Sequence, residues 1–418
     1  MEAESVVEVP PYFLCPISLD TMRDPVTLST GITYDRGSIE RWIFSDGRRV
    51  CPVTKQTLTD LTVTPNHTLR RLIQAWCVAN TTDRFSTPQP PVDEAQIINL
   101  LDEAKIPQCE VISLRKLRAI VVQSDRNKKC VEDAGGVEFL LSIIRRTIST
   151  STKLEEEIYE VLESTTAGDE ALKILYSMQL SEQGMRKNII ERNGDFLDML
   201  TIILGRSNYE SRSHAIMLLK SSLPVIAPAR LADIKSELVK EVVNVIQDGV
   251  SSKAMKGALQ ILVTLSPWGR NRVKAVEAGA IQVLVELLLD EQDKRVCELM
   301  LMALDNLCSC SEGRKELVEH AAGIAMVSKK ILRVSPMASE MAVRILLSVA
   351  RFSASPVVLK EMLQVGVVSK LCLVIQMDCG SKVREKAKEI LRLHFRVWKN
   401  SPCLAAHLQV TYLCSLKE

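Results

Sequence analysis

A short apolar motif recurs through most of the chain at a nearly constant spacing. The motif places a leucine four residues after an alanine, and its six copies begin at Ala171, Ala215, Ala258, Ala303, Ala342 and Ala387. The successive alanines lie 44, 43, 45, 39 and 45 residues apart. Helical repeats with a period of roughly 40 to 47 residues stack so that each one buries its apolar face against its neighbour. The spacing therefore predicts a solenoid built of α-helices.

Glycines and a weaker seventh copy of the motif extend the repeat. Apolar runs of helical length follow three glycines, as expected where one helix ends and the next begins: Gly135, Gly279 and Gly366. The weaker copy runs from Ser113 to Leu117, and its distance from Ala171 implies an insertion of about 15 residues relative to the period. We expect this insertion at the polar run 146–153. The solenoid should then hold about six to seven repeats.

Prolines divide the chain into two regions of different character. Nine of the sixteen prolines lie within the first 91 residues. Several of them cluster between Ser86 and Pro91, where they favour an extended, semi-rigid spacer. We therefore expect a loop-rich domain at residues 8–82, a proline-rich linker at 83–95 and the solenoid at 96–418.

The composition limits the class of partner. The 53 basic and 51 acidic residues leave a net charge of +2, so the chain as a whole has no field that attracts nucleic acid or an anionic membrane. It has no apolar stretch of about 18 residues, the length that a transmembrane helix needs, and its acidic first residues, Met1 to Glu4, are followed by no apolar core of signal-peptide length. The 12 cysteines are scattered, which favours reduced thiols. We expect a soluble protein of the cytoplasm, with the nucleus left open, that binds no nucleic acid and has no transmembrane segment; a local basic patch is left open.

Two short loops near the start of the chain have the spacing of zinc-binding loops without the ligands. They read Cys15-Pro16-Ile17-Ser18 and Cys51-Pro52-Val53-Thr54, so each Cys-x-x-Cys pair lacks its second thiolate. A domain braced by two zinc ions needs four Cys or His ligands for each ion. The first eighty residues offer four such side chains in all: Cys15, Cys51, Cys77 and His67. We expect no metal and no other cofactor, and we expect Ser18 and Thr54 to pin the loops by hydrogen bonds.

Turn and helix signals surround these loops. Gly31 lies between two strand-like runs, which predicts a hairpin of residues 26–29 and 32–34. Asp35 follows, a residue type that caps helix N-termini. The helix that it begins has an apolar face formed by Ile39, Trp42 and Ile43. A second helix, predicted from Asn66, has an apolar face formed by Leu69, Leu72, Ile73 and Trp76.

These blocks together carry a family resemblance in the first region. Their order along the chain is Cys15-Pro16-Ile17, Asp24-Pro25-Val26, Tyr34-Asp35-Arg36, Cys51-Pro52-Val53, Pro65-Asn66 and Leu69 to Trp76. This segment resembles the U-box, a RING-like fold that holds its two loops without metal. The resemblance implies structural roles for Cys15, Ser18, Asp35, Cys51 and Thr54.

The second region resembles armadillo repeats from about residue 96 to residue 400. HEAT repeats have a similar length and remain open as the alternative. The fold class implied by both resemblances is mainly α: a small α+β, zinc-free U-box followed by an armadillo-type α-solenoid.

The U-box resemblance implies a RING-type E3 ubiquitin ligase. Such a ligase binds a ubiquitin-conjugating enzyme (E2) charged with ubiquitin and promotes transfer of the ubiquitin to a substrate lysine, with no covalent intermediate of its own. By position, Ile17, Trp42 and Pro52 correspond to residues that bind the E2. Lys55 corresponds to a basic donor that bridges the E2 and ubiquitin.

Each of these residues has an alternative role that involves no E2. Ile17 and Trp42 can be core residues, since Trp42 lies on an apolar helical face, and Lys55 can be a solvated side chain. A ligase that forms its own thioester would need Cys15 or Cys51 as a nucleophile. Neither cysteine has an adjacent histidine, which favours a structural role.

The order of the two regions resembles the compact plant U-box armadillo ligases, which implies a role in stress or immune signalling. The solenoid would then recruit the protein substrate. The main alternative is an armadillo-repeat adaptor with a catalytically inactive U-box. Retention of Ile17, Pro52 and Lys55 together favours the ligase, and homo-oligomerisation is left open.

Substrate binding is expected on the concave face of the solenoid. Armadillo proteins that hold extended peptides use a ladder of asparagines on the third helix of each repeat. The matching positions hold Ile174, Leu218, Ile261, Asn306, Ile345 and Ile390. Since one asparagine remains, a folded or helical protein is favoured over an extended basic peptide. Asn306 and Trp268 are the candidate substrate contacts, with a buried capping role as the alternative for Trp268.

Overall fold

The computed structural model of the chain describes residues 9–79, 94–154, 166–191, 194–377 and 380–399. The chain forms two compact units, with the division between Ile189 and Ile190. This division lies inside the repeat region, and most of the predicted linker lies outside the described residues. The predicted domain limits therefore stay predictions.

The N-terminal domain contains a three-stranded antiparallel sheet and two helices. Its elements are a 3-10 turn (Pro11–Phe13), strands β1 (Pro25–Thr27) and β2 (Thr33–Asp35), helix α1 (Arg36–Glu40), one turn of π-helix (Arg41–Ser45), strand β3 (Thr64–Pro65) and helix α2 (His67–Ala79). We name the turn of π-helix the π-turn. Strand β1 is central, with Val26 opposite Tyr34 in β2 and Pro65 in β3. The hairpin predicted around Gly31 is confirmed, and Gly31 has the positive φ of 79° that its turn requires.

The core of this domain combines apolar side chains from the sheet and both helices. Val26, Tyr34 and Ile39 are fully buried, and Ile73 closes the core from α2. The predicted apolar face of α2 is wrong at Leu72, which is 54% exposed. Because Ile73 faces the core, its neighbour is rotated by about 100° away from it. Cys77, one turn after Ile73, is buried instead.

Further helices of the first unit begin the repeat region. They are α3 (Glu94–Glu103), α4 (Glu110–Gln123), α5 (Asp125–Asp133), α6 (Gly136–Leu154), α7 (Ala167–Met178) and α8 (Glu182–Met185). Helix α7 packs against both α4 and α6. Residues 146–153, predicted as an insertion, continue helix α6. The helix persists because its apolar face stays buried through Ile144 and Ile148.

The second unit repeats one arrangement of helices. They are α9 (Phe196–Leu204), α10 (Tyr209–Ser222), α11 (Pro228–Leu231), α12 (Ser236–Gln247), α13 (Ser252–Leu265), α14 (Gly269–Glu277), α15 (Ala280–Leu287), α16 (Lys294–Leu307), α17 (Ser311–Glu319), α18 (Gly323–Lys330), α19 (Pro336–Phe352), α20 (Pro356–Gln364), α21 (Val367–Gln376), α22 (Ser381–Leu393) and α23 (Phe395–Trp398). Helices α10, α13, α16, α19 and α22 carry the alanine–leucine motif, and each packs against the next.

The burial of the motif residues explains the spacing seen in the sequence. All six alanines of the motif have no exposed surface: Ala171, Ala215, Ala258, Ala303, Ala342 and Ala387. Small side chains at these points let successive motif helices pack without gaps or overlap. Gly279 and Gly366 have positive φ values of 79° and 77° and stand directly before α15 and α21. The predicted α-solenoid is confirmed.

Hydrogen bonds between repeats add to this packing. Asn271 in α14 is 1% exposed. Its side-chain oxygen accepts the N–H of Ile234 at 3.2 Å, and its amide nitrogen donates to the carbonyl of Leu231 at 2.6 Å. Both partners precede helix α12, in the repeat before α14. One side chain therefore satisfies two backbone groups of the neighbouring repeat.

We expect Asn271→Ala to lower the free energy of unfolding by about 1–3 kcal/mol, because it leaves both backbone groups without a partner. Urea unfolding of the whole chain measures the change. The control is Asn244→Ala, since the amide of Asn244 donates to Glu241 on its own helix at 3.2 Å. Equal losses in the two variants would contradict the role of Asn271 between repeats.

Candidate functional site

Two loops of the N-terminal domain have the same backbone hydrogen bonds, 36 residues apart. We name residues 15–20 loop 1 and residues 51–56 loop 2. In each loop the N–H of the first residue donates to the carbonyl of the sixth at 2.8 Å. The N–H of the fifth residue donates to the carbonyl of the first, at 2.8 Å in loop 1 and 3.0 Å in loop 2. Antiparallel bridges at the base of the loops pair Leu14 with Thr21 and Val50 with Thr57.

The fifth residue of each loop has an unusual backbone conformation. Leu19 and Lys55 both have a φ of 60°, and this left-handed conformation costs a non-glycine residue roughly 1–3 kcal/mol. The hydrogen bonds that close each loop hold it there. Leu19 is 74% exposed, and Lys55 is exposed as well. The conformation therefore presents both side chains to solvent.

Strand β2 bonds to both loops through consecutive residues. The phenol oxygen of Tyr34 lies 3.1 Å from the Cys51 sulfur and accepts the N–H of Val53 at 3.3 Å. The N–H of Asp35 donates to the Cys15 sulfur at 3.3 Å. We name these three contacts the β2 tie. They join loop 1 to loop 2 through one strand.

The buried thiol of Cys51 is an acceptor in the β2 tie. Burial opposes its ionisation, but hydrogen bonds from Thr30, Thr54 and Tyr34 outweigh burial and lower the pKa of Cys51 to about 6. The Thr30 hydroxyl lies 3.4 Å from the sulfur. Burial and then the bond to Cys51 raise the pKa of Tyr34 above its ordinary value. Tyr34 therefore stays protonated, and its hydroxyl is able to act as the hydrogen-bond donor to the sulfur.

The other predicted structural residues make local bonds. Asp35 precedes α1 as expected, but the predicted cap is wrong, because its side chain makes no bond to the helix. Its carboxylate instead accepts the N–H groups of Arg23 and Asp24, at 2.8 and 3.0 Å, and so holds the turn before β1. The hydroxyls of Ser18 and Thr54 each accept an N–H two residues later at 3.5 Å, which is long for a hydrogen bond.

The residues expected to bind the E2 lie in the loops or beside them. Ile17 and Pro52 are half-buried, in loops 1 and 2. Trp42 is also half-buried, and its indole N–H donates to the carbonyl of Val50 at 2.8 Å, which joins the π-turn to the base of loop 2. The Arg48 guanidinium lies 4.2 Å from the Trp42 ring centroid, a cation–π contact.

Two exposed apolar residues of the loops are absent from the expectations based on sequence. Leu19 is 74% exposed and Val53 is 50% exposed. Val53 is the third residue of loop 2, as Ile17 is of loop 1, so the repeated order Cys-Pro-apolar was a readable signal for it. Nothing comparable marked Leu19, whose exposure follows from its backbone conformation. We name five residues the loop face: Ile17, Leu19, Pro52, Val53 and Lys55.

The candidate substrate residues lie at separate places in the second unit, one on a helix and one in a turn. Asn306 in α16 is half-buried, and its amide donates to the carbonyl of Val263 in α13 at 3.4 Å. Other positions of the expected ladder belong to the core, with Leu218 3% exposed and Ile261 fully buried. Trp268 is half-buried in the turn before α14. The ladder positions therefore pack repeat against repeat.

The described part of the chain contains no membrane-spanning helix and no metal site. No helix there is both long and apolar enough to cross a membrane. The same ranges hold no group of three His, Cys, Asp or Glu side chains arranged to bind a metal ion. Cys15 and Cys51 are fully buried free thiols. Neither is therefore placed to attack an incoming thioester.

Comparison with protein families matches both regions. Residues 9–82 match the U-box domain, and residues 96–414 match the plant U-box protein ARM repeat region. A solved chain from a study of a phosphorylation switch that controls the interaction between cadherin and beta-catenin is 16% identical, with a TM-score of 0.59. The likeness covers 86% of this chain and 61% of that one, and it shows the fold alone.

Two curated relatives from Arabidopsis thaliana resemble the chain over nearly its whole length. It is 49% identical to the E3 ubiquitin-protein ligase PUB23, across 98% of each chain. It is 46% identical to the E3 ubiquitin-protein ligase PUB22, across 97% of this chain and 99% of that one. The chain therefore belongs to the plant U-box proteins with an armadillo-repeat region, and it is a U-box E3 ubiquitin-protein ligase. The predicted U-box and armadillo fold is confirmed, and HEAT repeats are excluded.

We expect Tyr34→Phe to open loop 2, because it removes the donor to Cys51 and the acceptor of the Val53 N–H. The free energy needed to open loop 2 should fall by about 1–3 kcal/mol. Hydrogen exchange of a peptide that spans loop 2, measured by mass spectrometry on the whole chain, reports it. Tyr12→Phe is the matched control, since Tyr12 is 68% exposed. Unchanged exchange in Tyr34→Phe would show that the β2 tie does not hold the loop.

Proposed function

We propose that the loop face binds a ubiquitin-charged E2 and that the armadillo repeats recruit the protein substrate that receives the ubiquitin. The observation that carries the proposal is the pair of tied loops, which present apolar side chains at the surface. Leu19 and Val53 are the most exposed of them, and Ile17 and Pro52 are half-buried beside them in the same loops. Apolar side chains held on a fixed scaffold are typical of protein-binding sites.

The proposed reaction is an acyl transfer between two partners of the ligase. The amine of a substrate lysine attacks the thioester carbonyl that joins ubiquitin to the E2 cysteine. A carbon–nitrogen bond forms, the carbon–sulfur bond breaks, the cysteine leaves as a thiolate and the amine releases a proton to solvent. The ligase contributes no covalent step, in keeping with the burial of Cys15 and Cys51. It restricts the motion of the thioester and so lowers the entropic cost of reaching the transition state.

Lys55 has a separate proposed role, as a donor to the E2 and ubiquitin together. Its left-handed backbone presents the side chain to solvent from the fifth position of loop 2. A charged ammonium group makes stronger hydrogen bonds to carbonyl oxygens than a neutral donor does. It lacks the planar fork of arginine, so it contributes charge more than geometry.

The form of the repeats supports the proposal that they recruit the protein substrate. Stacked helices of a solenoid present an extended binding surface. Since five of the six ladder positions are buried apolar residues, an extended peptide finds no row of amides to bind, and we propose a folded or helical protein as substrate. Asn306 and Trp268 are the first contacts to test. We also propose, from the likeness to plant U-box armadillo ligases, a role in stress or immune signalling. The sequence favours the cytoplasm as the location, with the nucleus left open.

The experiment that tests the loop face measures discharge of ubiquitin from a charged E2 to free lysine, with the whole chain as ligase and a panel of E2 enzymes. We expect Ile17→Ala to lower the rate about tenfold, the effect of losing roughly 1.4 kcal/mol of binding. Leu72→Ala is the matched control, because Leu72 is an exposed apolar residue of α2 outside the loop face. Its rate should equal that of the wild type.

Two outcomes would contradict the proposal. Full activity of Ile17→Ala would show that the E2 binds elsewhere. Absence of discharge by the wild type across the panel would favour an armadillo adaptor whose U-box does not catalyse transfer.

A further inference from the structure

Glu40, the last residue of α1, is a buried carboxylate. Few groups inside the U-box stabilise its negative charge. It is 2% exposed. The Arg36 guanidinium lies 3.5 Å from one of its oxygens, but Arg36 also pairs with Asp24 at 2.5 Å. The second oxygen of Glu40 accepts no hydrogen bond from any described residue. Because a buried charge needs compensation, further stabilising groups should lie close to it.

Those groups lie at the start of helix α5, in the armadillo region of the same unit. Helix α5 packs against both α1 and the π-turn. Burial raises the pKa of Glu40, whereas Arg36, Arg126 and Ser124 act to lower it, so the last two lie near enough to the carboxylate to stabilise its charge. Ser124 is the N-cap of α5, and its oxygen accepts the N–H of Asn127 at 3.2 Å. Its own proton is therefore available to Glu40, and the positive end of the helix adds to the attraction.

The same helical segment contacts the base of loop 2 on its other side. Trp42 follows Glu40 by two residues, which is a rotation of about 200° around a helix. While Glu40 meets α5, the Trp42 indole bonds to Val50 at the base of loop 2. A shift of the segment on α5 would therefore carry loop 2 with it.

We infer that Glu40 is a positioning residue, which docks the U-box on the first armadillo repeats through Ser124 and Arg126 and so sets the direction in which a bound E2 is held. The inference rests on the proposed function of the loop face. A fixed direction limits the lysines that the thioester reaches, because reacting atoms must approach within about 3–3.5 Å. Release of the contact should keep the E2 bound but change which lysines receive ubiquitin.

The test uses Arg126→Ala in the whole chain, because this variant leaves every U-box residue in place. Lys129→Ala is the matched control: Lys129 is also a basic residue of α5, and its amine pairs with Glu132 and Asp133 on the same helix. Hydrogen exchange of the peptide 36–43 reports whether α1 and the π-turn stay docked. Discharge of the charged E2 to free lysine reports the loop face alone.

The third measurement maps the lysines of the ligase that become ubiquitinated, by mass spectrometry. It is made at concentrations where the rate per molecule is independent of dilution, so that modification occurs within one chain. We expect Arg126→Ala to increase exchange in peptide 36–43, to leave discharge to free lysine within about twofold, and to redistribute ubiquitin among the lysines. Lys129→Ala should match the wild type in all three measurements.

A second variant separates the charge of Glu40 from its shape. Glu40→Gln keeps the size of the side chain and should give the same redistribution as Arg126→Ala. The double variant should add nothing to the larger single effect, since both changes break one contact. Additive effects would show that the two residues act separately and would overturn the inference.

The remaining results also decide the question. Unchanged exchange and an unchanged lysine pattern in Arg126→Ala would overturn the inference, and so would a large fall in discharge to free lysine, since that would place the effect in the loop face. If the wild type discharges no ubiquitin, the proposed function fails by itself. The exchange comparison then still shows whether Arg126 holds the U-box.

Discussion

The β2 tie is the contact on which the candidate site depends. Tyr34 and Asp35, neighbours in one strand, hold Cys51 and Cys15, the first residues of the two loops. A single hydrogen bond contributes about 0.5–1.5 kcal/mol, far less than the roughly 10–16 kcal/mol of a structural zinc ion. The tie therefore works together with the apolar core around Tyr34, which places the strand and excludes water from its sulfur contacts.

The two regions of the chain stabilise their surface residues in different ways. The loops are short and carry strained residues, Leu19 and Lys55, whose conformation is maintained by bonds within each loop. The repeats also contain two non-glycine residues with a positive φ, Gln179 after α7 and Leu332 after α18, but their packing follows one pattern that recurs along the chain. Each motif helix buries an alanine against its neighbour, and side chains such as Asn271 bond to the backbone of the preceding repeat. Stability in the repeats is thus spread along the chain, as in other solenoids.

The sequence was sufficient for features that depend on period and local order. The spacing of the alanines predicted the motif helices, and Gly31 predicted the hairpin. It was insufficient where a bond joins residues distant in the chain: the contact of Tyr34 with Cys51 spans 17 residues, and the carboxylate of Asp35 turns to Arg23 rather than to its helix. The exposure of Leu19 depends on a backbone angle that no pattern of residue types encodes.

The central claim is that the two tied loops form one binding surface. Hydrogen exchange of the whole chain, measured with and without a saturating charged E2, tests it most directly. The account predicts slower exchange in the peptides of loop 1 and loop 2 together, with the peptides of α13 and α16 unchanged. Protection of one loop without the other, or protection confined to the repeats, would contradict it.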